Sequence, residues 1–569
     1  MNRLRFLLLA CFLFVIGTLH APAGAQTTGD WRFGVVEAYT APNSARELGT
    51  AWTRVRFQWA DTQADGPDSW TPPISDELVE QELAARRLVV GLLIGIPEWA
   101  RDEDGLPQGL WLPHDDPGNS WGTFVRQMVE RYAGRIDHWV IWNEPDIEAT
   151  AVAHTWDGSV EDFAQLQRVA YLAAKDANPD ATLHLSAFTY WADVAAGREQ
   201  YMARLLDEIL SDPQAAQNAY YFDVATAHLY FQPDQIYDLL ILFQEIMQER
   251  GVVKPIWLVE TNAPPHDDPA WPVPEQTLSV MQDEQAAFMP QALASALAAG
   301  AERIAVYKMQ DTRGDREANP EPFGLLRQDG SRRPAYRALK VAMQYMGGSS
   351  EVRRERWDEV GQFHFEQQDR TTTVLFARLA DPQQVMIEAV ADTALLVDLR
   401  GTKEQIEAED GRYVIDLPPA LCIQSIGDYC MIGGSTFYLI QAKNGGDAPE
   451  GPPPVLPQPA ITSTSVPTAT STATATATPS PVPTLTNTVV PPSLASTALP
   501  TLTAVAPPSP TAVATQLSQV VEVRADSGSV DTAETEEGRA GDITLFAVGV
   551  VVVGVGALVG WWISGKRKA

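Results

Sequence analysis

The strongest constraint on the fold is an alternation of short strand-like runs with longer helical segments between Trp31 and Met346. Eight runs are rich in β-branched and aromatic residues, and segments with helical periodicity separate them. This alternation is typical of βα units whose strands form a parallel sheet. The predicted strands are Phe33–Tyr39, Thr53–Trp59, Leu88–Ile96, His138–Trp142, Thr182–Ala187, Asp223–Tyr230, Ile256–Glu260 and Arg303–Met309.

Eight such units in residues 31–346 favour a closed (β/α)₈ TIM barrel. An open doubly wound sheet is the alternative, but no glycine-rich phosphate loop follows the first strand. Ser159, placed before Glu161 and Asp162, predicts the start of a helix. The clearest predicted helices are Trp121–Tyr132, Glu161–Ala177, Gln235–Arg250 and Glu284–Ala299.

After the barrel, residues 350–444 change to short alternating strands, which predicts a small antiparallel β-sandwich. Cys422 and Cys430 lie close together in this segment, and their spacing favours a disulfide outside the cytoplasm. Two free thiols in a small β-domain are the alternative, because spacing alone does not establish geometry.

Both ends of the chain carry targeting signals. Residues 1–25 combine a basic start, an apolar run and a small-residue cleavage site, as in a signal peptide. Residues 445–541 are dominated by Pro, Thr, Ser and Ala and predict a disordered stalk. Residues 543–563 are apolar enough to cross a bilayer, and the basic tail 564–569 places the C-terminus inside. We therefore expect a folded part held outside the plasma membrane.

The net charge of −32 excludes a phosphate backbone as a natural partner, because like charges repel. A neutral polymer such as a polysaccharide meets no such penalty. The eight histidines show no His-x-x-x-His spacing, so neither a metal site nor another cofactor is expected. The oligomeric state is left open by the sequence.

Two glutamates close predicted strands on opposite sides of the barrel. Glu144 follows the fourth strand and Glu260 ends the seventh, and strand ends in a TIM barrel converge on one mouth. Glycosidic bond cleavage uses two facing carboxyl groups, one as acid and the other as nucleophile or base. At a separation of about 5–5.5 Å the second carboxylate attacks the sugar, and the anomeric configuration is retained.

The segment Trp142-Asn143-Glu144-Pro145, together with Glu260, resembles clan A of the glycoside hydrolases. The similarity is greatest to family 39, the β-xylosidase and α-iduronidase group. It covers residues 31–346 and is carried further by these motifs: Gly95-Ile96-Pro97-Glu98-Trp99-Ala100, His228-Leu229-Tyr230 and Phe323-Gly324-Leu325-Leu326.

The resemblance implies a role for each matching residue. Glu144 corresponds to the acid/base and Glu260 to the nucleophile. Asn143 would bind the sugar 2-hydroxyl, Tyr230 would contact the nucleophile, and His228 would line the same site. A hydrogen-bonded core histidine is the alternative for His228.

Arg56, on the second strand, is predicted to hold Glu260 ionised by charge pairing, with a structural ion pair inside the barrel as the alternative. Trp99 is one of five tryptophans near strand ends that suit a sugar cleft as a set, although any single one is more often packing. The other four are Trp59, Trp142, Trp191 and Trp271.

The eighth strand departs from the family pattern, which has a Trp beneath the reacting sugar. This chain has Tyr307 and Lys308 there. Tyr307 is the expected substitute for the Trp, and Lys308 is a candidate partner for a substrate carboxylate.

The sequence thus predicts a retaining glycoside hydrolase that cleaves O-glycosidic bonds of extracellular oligo- or polysaccharides by double displacement. A catalytically inactive carbohydrate-binding surface protein, or an adhesin on the same barrel, is the alternative, and the divergent eighth strand favours it slightly.

Overall fold

The structure is a computed structural model that describes residues 29–147, 151, 153–273, 278–318 and 321–456. The predicted signal peptide, most of the stalk, the membrane helix and the basic tail lie outside these residues. Within the described ranges, no helix combines the length and the apolar character needed to cross a bilayer.

Eight parallel strands close into a barrel in chain order, β1 to β8, with β8 paired to β1. They are Phe33–Val35, Trp52–Gln58, Leu88–Ile94, His138–Ile141, Thr182–Phe188, Val224–His228, Ile256–Thr261 and Arg303–Val306. All eight predicted strands are confirmed. The observed ends differ by a few residues because the chain leaves the ladder where the strand-end loops begin.

The helices around the barrel include the four that the sequence predicted. In chain order, α1 to α11 are Pro42–Leu48, Trp59–Thr62, Asp76–Ala84, Ser120–Tyr132, Val160–Ala177, Trp191–Ala196, Tyr201–Ser211, Pro233–Glu249, Gln282–Ala298, Arg313–Ala318 and Pro334–Met346. The helix-start signal at Ser159 is confirmed as a capping box, in which the Ser159 hydroxyl accepts from the Asp162 amide and the Asp162 carboxylate accepts from the Ser159 amide.

The segment after the barrel folds into antiparallel sheets, as the alternation predicted. Its strands, β9 to β18, are Ser349–Trp357, Val360–Gln367, Arg370–Ala377, Gln383–Glu388, Thr393–Asp398, Lys403–Glu407, Arg412–Leu417, Ser425–Ile426, Tyr429–Cys430 and Phe437–Ala442. Six of them form one sheet in the order β14-β13-β18-β11-β10-β9, and β12 pairs with β15 as a separate ribbon. Cys422 and Cys430 are joined by a disulfide.

The six-stranded sheet is covered on both faces. One face shares a small apolar core with the β12–β15 ribbon, including Leu375, Tyr413 and Ile415. The other face belongs to the main core of the barrel, where Tyr345 of α11 packs against Tyr438 of β18 at a ring distance of 5.8 Å. The β-domain and the barrel therefore share one continuous hydrophobic core.

The lower part of the barrel interior is filled by aromatic and imidazole rings. Trp257 packs against Trp52, His138 and His184 at ring distances of 5.4, 5.4 and 4.6 Å. Burial, together with the nearby Arg303, lowers the pKa of His138 to about 3, so this histidine is neutral. This packed layer closes the barrel from below and leaves the strand ends above it as the place for a site.

Candidate active site

The two predicted glutamates come together inside the mouth of the barrel. Glu144 follows β4, Glu260 lies near the end of β7, and neither side chain has any exposed surface. Single ligand atoms of Glu144, Glu260 and His228 lie within 4.8 Å of one another. The strand count alone placed these carboxyl groups opposite each other, and the structure has that arrangement.

A local break in backbone regularity precedes Glu144. Trp142 and Glu144 both have left-handed φ angles, 68° and 48°, which side chains with a Cβ adopt at a cost of about 1–3 kcal/mol each. The Glu144 amide donates to the carbonyl of Ala187 on β5 (3.1 Å), so the turn is held by the neighbouring strand. The strained backbone therefore lies in the segment that places Glu144 at the mouth of the barrel.

The same break explains the position of Trp142. Strand alternation would direct it inward like His138, but its indole instead lies edge-on to Trp121 at 6.0 Å and to Trp156 at 5.3 Å. Trp59 is equally buried and stacks on Phe124. Trp59 and Trp142 are therefore core residues, which is the packing role that the sequence favours for any single tryptophan of the set.

Glu260 is held between a cation and a phenol. One carboxylate oxygen accepts from the guanidinium of Arg54 on β2, and the other accepts from the hydroxyl of Tyr230. Burial alone would raise the pKa of Glu260, but the charges of His228 and Arg54 and the hydrogen bonds from Tyr230 and Arg54 outweigh burial and lower it. Glu260 is thus kept as a carboxylate.

The prediction that Arg56 pairs with Glu260 is wrong, because Arg54 occupies that position. Both arginines are on the inward face of β2, but Arg54 lies one step deeper, level with the carboxylate. Arg56 donates instead to Gln58 Oε1, from Nε at 3.1 Å and from Nη2 at 2.7 Å. Alternation identified the inward face of β2, but which of its arginines reaches β7 depends on the register between strands.

His228 connects the two glutamates. Its Nδ1 lies 2.6 Å from Glu144 Oε1, and its Nε2 lies 3.5 Å from Glu260 Oε1 and 3.3 Å from Arg54 Nη1. His228 is thus a buried, hydrogen-bonded histidine that also lies beside both glutamates. The two alternatives for His228, a core histidine and a residue of the site, are therefore compatible. The second oxygen of Glu144, Oε2, has no hydrogen-bond partner among the residues that the structure describes.

Residues after β8 form the wall beside Glu260. The Tyr307 ring lies edge-on to Phe323 at 5.6 Å, and Phe323 lies edge-on to Tyr230 at 5.7 Å. The side-chain amide of Asn262 donates to the carbonyls of Tyr307 (2.6 Å) and Phe323 (2.7 Å), which fixes this wall. Burial raises the pKa of the Tyr307 hydroxyl, with Glu260 contributing in the same direction, so Tyr307 is a neutral aromatic surface near the carboxylate.

Lys308 is not free for a substrate. Its ammonium is buried and lies 2.6 Å from Glu37 Oε2 and 2.9 Å from Asp315 Oδ1. The prediction that Lys308 pairs with a substrate carboxylate is therefore wrong, because two carboxylates of the protein already neutralise it. Lys308 instead ties α10 to the loop after β1.

The remaining predicted residues lie around the mouth. Trp99 is partly exposed, donates from Nε1 to the carbonyl of Gln63 (2.6 Å) and packs edge-on against Trp59. Asn143 is buried beside Glu144, and its carbonyl accepts from Thr155 Oγ1 at 2.6 Å. Contacts of Trp99 and Asn143 with a sugar stay predictions.

A cation would compete with the ion pair already present. Glu144, His228 and Glu260 are of metal-binding types and lie close enough for one ion. Both oxygens of Glu260, however, are engaged by Arg54 and Tyr230. A metal would have to displace the guanidinium, so the donor set fits proton transfer and covalent chemistry better than metal binding.

Comparison with known proteins supports the fold. The sequence matches no protein-family model and no curated protein. The structure is similar to that of a family 39 glycoside hydrolase from the gut symbiont Bacteroides cellulosilyticus, with 16% identity, a TM-score of 0.55, and coverage of 73% of this chain and 81% of that one. A glucosidase from Croceicoccus marinus is similar at 12% identity and a TM-score of 0.49, over 70% and 91% of the two chains. The first likeness shows that the two chains share their fold.

Proposed function

We propose that the protein is a retaining glycoside hydrolase of clan A, most like family 39, that cleaves O-glycosidic bonds with Glu144 and Glu260. The observation that carries this proposal is the pair of buried glutamates at the ends of β4 and β7, whose carboxylate oxygens approach within 4.8 Å. That spacing suits direct attack by one carboxylate, since an inverting enzyme needs about 6.5–9.5 Å to admit a water molecule between the two groups.

The surroundings of the two glutamates suggest their roles. Glu260 is kept ionised by Arg54 and Tyr230, so it is the nucleophile. Glu144 has an unpartnered oxygen and no lysine or arginine partner among the residues the structure describes. That oxygen is available to carry a proton to the leaving group, so Glu144 is the acid/base.

The reaction then follows in two displacements. Glu260 attacks the anomeric carbon while Glu144 donates a proton to the departing glycosidic oxygen, which gives a glycosyl ester on Glu260. Glu144 next takes a proton from water, the water oxygen attacks the anomeric carbon, and Glu260 leaves as a carboxylate. His228, hydrogen-bonded to Glu144 and adjacent to Glu260, holds the two groups in register.

The decisive test is Glu260→Ala, assayed on aryl glycosides with and without azide. We expect activity to fall by several orders of magnitude and azide to restore turnover with a glycosyl azide product, since azide replaces the missing nucleophile. Full activity without azide would contradict the assignment of Glu260. Binding of glycans by a wild-type protein that hydrolyses none of them would instead favour the inactive carbohydrate-binding alternative.

We also propose that the enzyme acts outside the cell, exported by the signal peptide 1–25 and held by the helix 543–563 beyond the stalk 445–541. Protease treatment of intact cells tests this: we expect release of the folded part into the medium, and its retention within sealed cells would contradict the location.

A further inference from the structure

Arg56 occupies the mouth of the barrel without a role in the proposed mechanism. It is on the inward face of β2, directly above Arg54, and is partly exposed where Arg54 is buried. Burial lowers the pKa of Arg56 and Arg54 lowers it further, while Tyr307 and Glu37 act in the opposite direction. The guanidinium therefore lies among residues that line the site, on the side nearer to solvent.

The orientation of Arg56 is fixed from one side. Gln58 Oε1 accepts from both Nε and Nη2 of Arg56. Gln58 can take that position because residue 95, at the end of β3, is glycine: a Cβ there would meet Gln58 Nε2 at 2.1 Å, and φ is 83°. Gly95 and Gln58 thus orient Arg56. Within the part of the chain that the structure describes, the Nη1 group and the second hydrogen of Nη2 have no hydrogen-bond partner.

The charges of Glu37 and Asp61 act on Arg56 from beyond ion-pair distance. Among the described residues, no carboxylate lies within ion-pair distance of Arg56, although Arg54 pairs with Glu260 and Lys308 pairs with Glu37 and Asp315. The nearby Glu37 is taken up by Lys308. A partly buried, oriented and unpaired guanidinium is suited to bind a planar anion by two parallel hydrogen bonds.

We propose that Arg56 is a specificity residue that binds a carboxylate on the sugar substrate, so that the enzyme prefers glycosides of uronic acids over the matching neutral sugars. This proposal rests on the glycosidase function proposed above, and it transfers the recognition of a substrate carboxylate from Lys308 to Arg56. The N–H groups of Arg56 that no described residue engages would donate to the carboxylate of the ligand. A neutral sugar would leave that charge unpaired.

The test compares matched substrates that differ only in the C6 group. Aryl glucosides and glucuronides, and aryl galactosides and galacturonides, are assayed in both anomers with the full-length wild type, Arg56→Met and Arg56→Lys. Arg46→Met, an exposed arginine on α1, is the control. We expect the wild type to favour at least one uronide, and Arg56→Met to lower the uronide-to-neutral ratio of kcat/KM at least tenfold while Arg46→Met leaves it unchanged.

Arg56→Lys separates charge from geometry. We expect it to keep part of the preference, because lysine retains the charge but not the bidentate edge. A wild type that favours the neutral member of every pair it hydrolyses, or a ratio that does not change in Arg56→Met, would overturn the proposal. Equal circular dichroism spectra and equal midpoints of urea unfolding for Arg56→Met and the wild type show that the variant folds normally.

A binding measurement keeps this proposal separate from the proposed function. Free glucuronate and galacturonate, with glucose and galactose as controls, are titrated calorimetrically into the wild type and into Arg56→Met. If no glycoside is hydrolysed but a uronate binds at least tenfold more weakly to Arg56→Met, the glycosidase proposal fails and the role of Arg56 stands. If hydrolysis depends on Glu260 but uronates bind no better than neutral sugars, only the role of Arg56 fails.

Discussion

Arg54→Met removes the cation that neutralises Glu260 inside the barrel and keeps a side chain of similar length. The two side chains are 4% and 0% exposed, so water does not replace the lost partner. Removing one member of a buried ion pair costs about 3–5 kcal/mol, because the other charge stays buried without a partner. We expect the free energy of unfolding to fall by that amount at neutral pH.

The pH dependence follows from the sign of the pKa shift. In the wild type the pKa of Glu260 is lowered, so its contribution to stability is present above its unfolded value of about 4.3 and is lost as the pH falls through the folded value. Without Arg54 the burial of Glu260 is offset only by His228 and Tyr230, and we expect the pKa of Glu260 to rise. The deficit of Arg54→Met should therefore be small near pH 4 and grow toward pH 7.

Urea unfolding followed by tryptophan fluorescence measures these differences at both pH values. The double variant Arg54→Met/Glu260→Gln has no unpaired charge, and we expect it to recover at least about 2 kcal/mol relative to Arg54→Met alone. Arg87→Met breaks the buried Arg87–Glu82 pair elsewhere and is the control that Glu260→Gln should not rescue. Additive losses in the double variant, or a deficit independent of pH, would show that Arg54 acts by packing rather than by charge.

Three further predictions concern other parts of the chain. Burial raises the pKa of Asp146 to about 7, so this carboxyl destabilises the fold as the pH rises from about 4 to 7. In urea unfolding, Asp146→Asn should match the wild type at pH 4 and exceed its free energy of unfolding at pH 8 by up to about 4 kcal/mol. Equal pH profiles for the two proteins would contradict this. Gly95→Ala should displace Gln58 and lower the uronide-to-neutral ratio of kcat/KM without abolishing hydrolysis of neutral glycosides; an unchanged ratio would contradict the coupling. Reduction of the Cys422–Cys430 disulfide, which closes a short loop, should destabilise that hairpin by about 2–3 kcal/mol, visible as faster amide hydrogen exchange there and not in the barrel.

Much of the fold could be predicted because it depends on local pattern. The strands read as β-branched runs, and Ser159 with Asp162 marks a helix start by chemistry that is complete within four residues. Strand ends were less predictable. The sequence extended the first strand to Tyr39, but β1 ends at Val35 and Glu37 has a left-handed φ of 57°. Whether a residue continues a ladder depends on its neighbours in space.

The candidate site was likewise only partly predictable from the sequence. Glu144 and Glu260 were found because strand ends are read in order along the chain. The sequence pointed to Arg56 rather than Arg54 because strand alternation identifies only which residues of β2 face inward. The depth of an inward residue in the barrel depends on the stagger between neighbouring strands. The sequence does not reveal the ion pairs of Lys308, because Glu37 is distant in sequence and Asp315 is on a separate helix. Lys308 was therefore expected to pair with a substrate.

The helix α9 shows how the two folded regions depend on each other. Every residue from Glu284 to Leu297 is buried, so α9 has no polar face for solvent, and Gln291 exchanges hydrogen bonds with Gly433 (3.0 Å) and Gly434 (3.0 Å) of the β-domain. A barrel separated from residues 350–444 would expose this apolar helix and leave the Gln291 amide without its partners. Barrel and β-domain are therefore expected to unfold in a single cooperative transition, and a shortened chain that ends after α11 would aggregate rather than form a smaller enzyme.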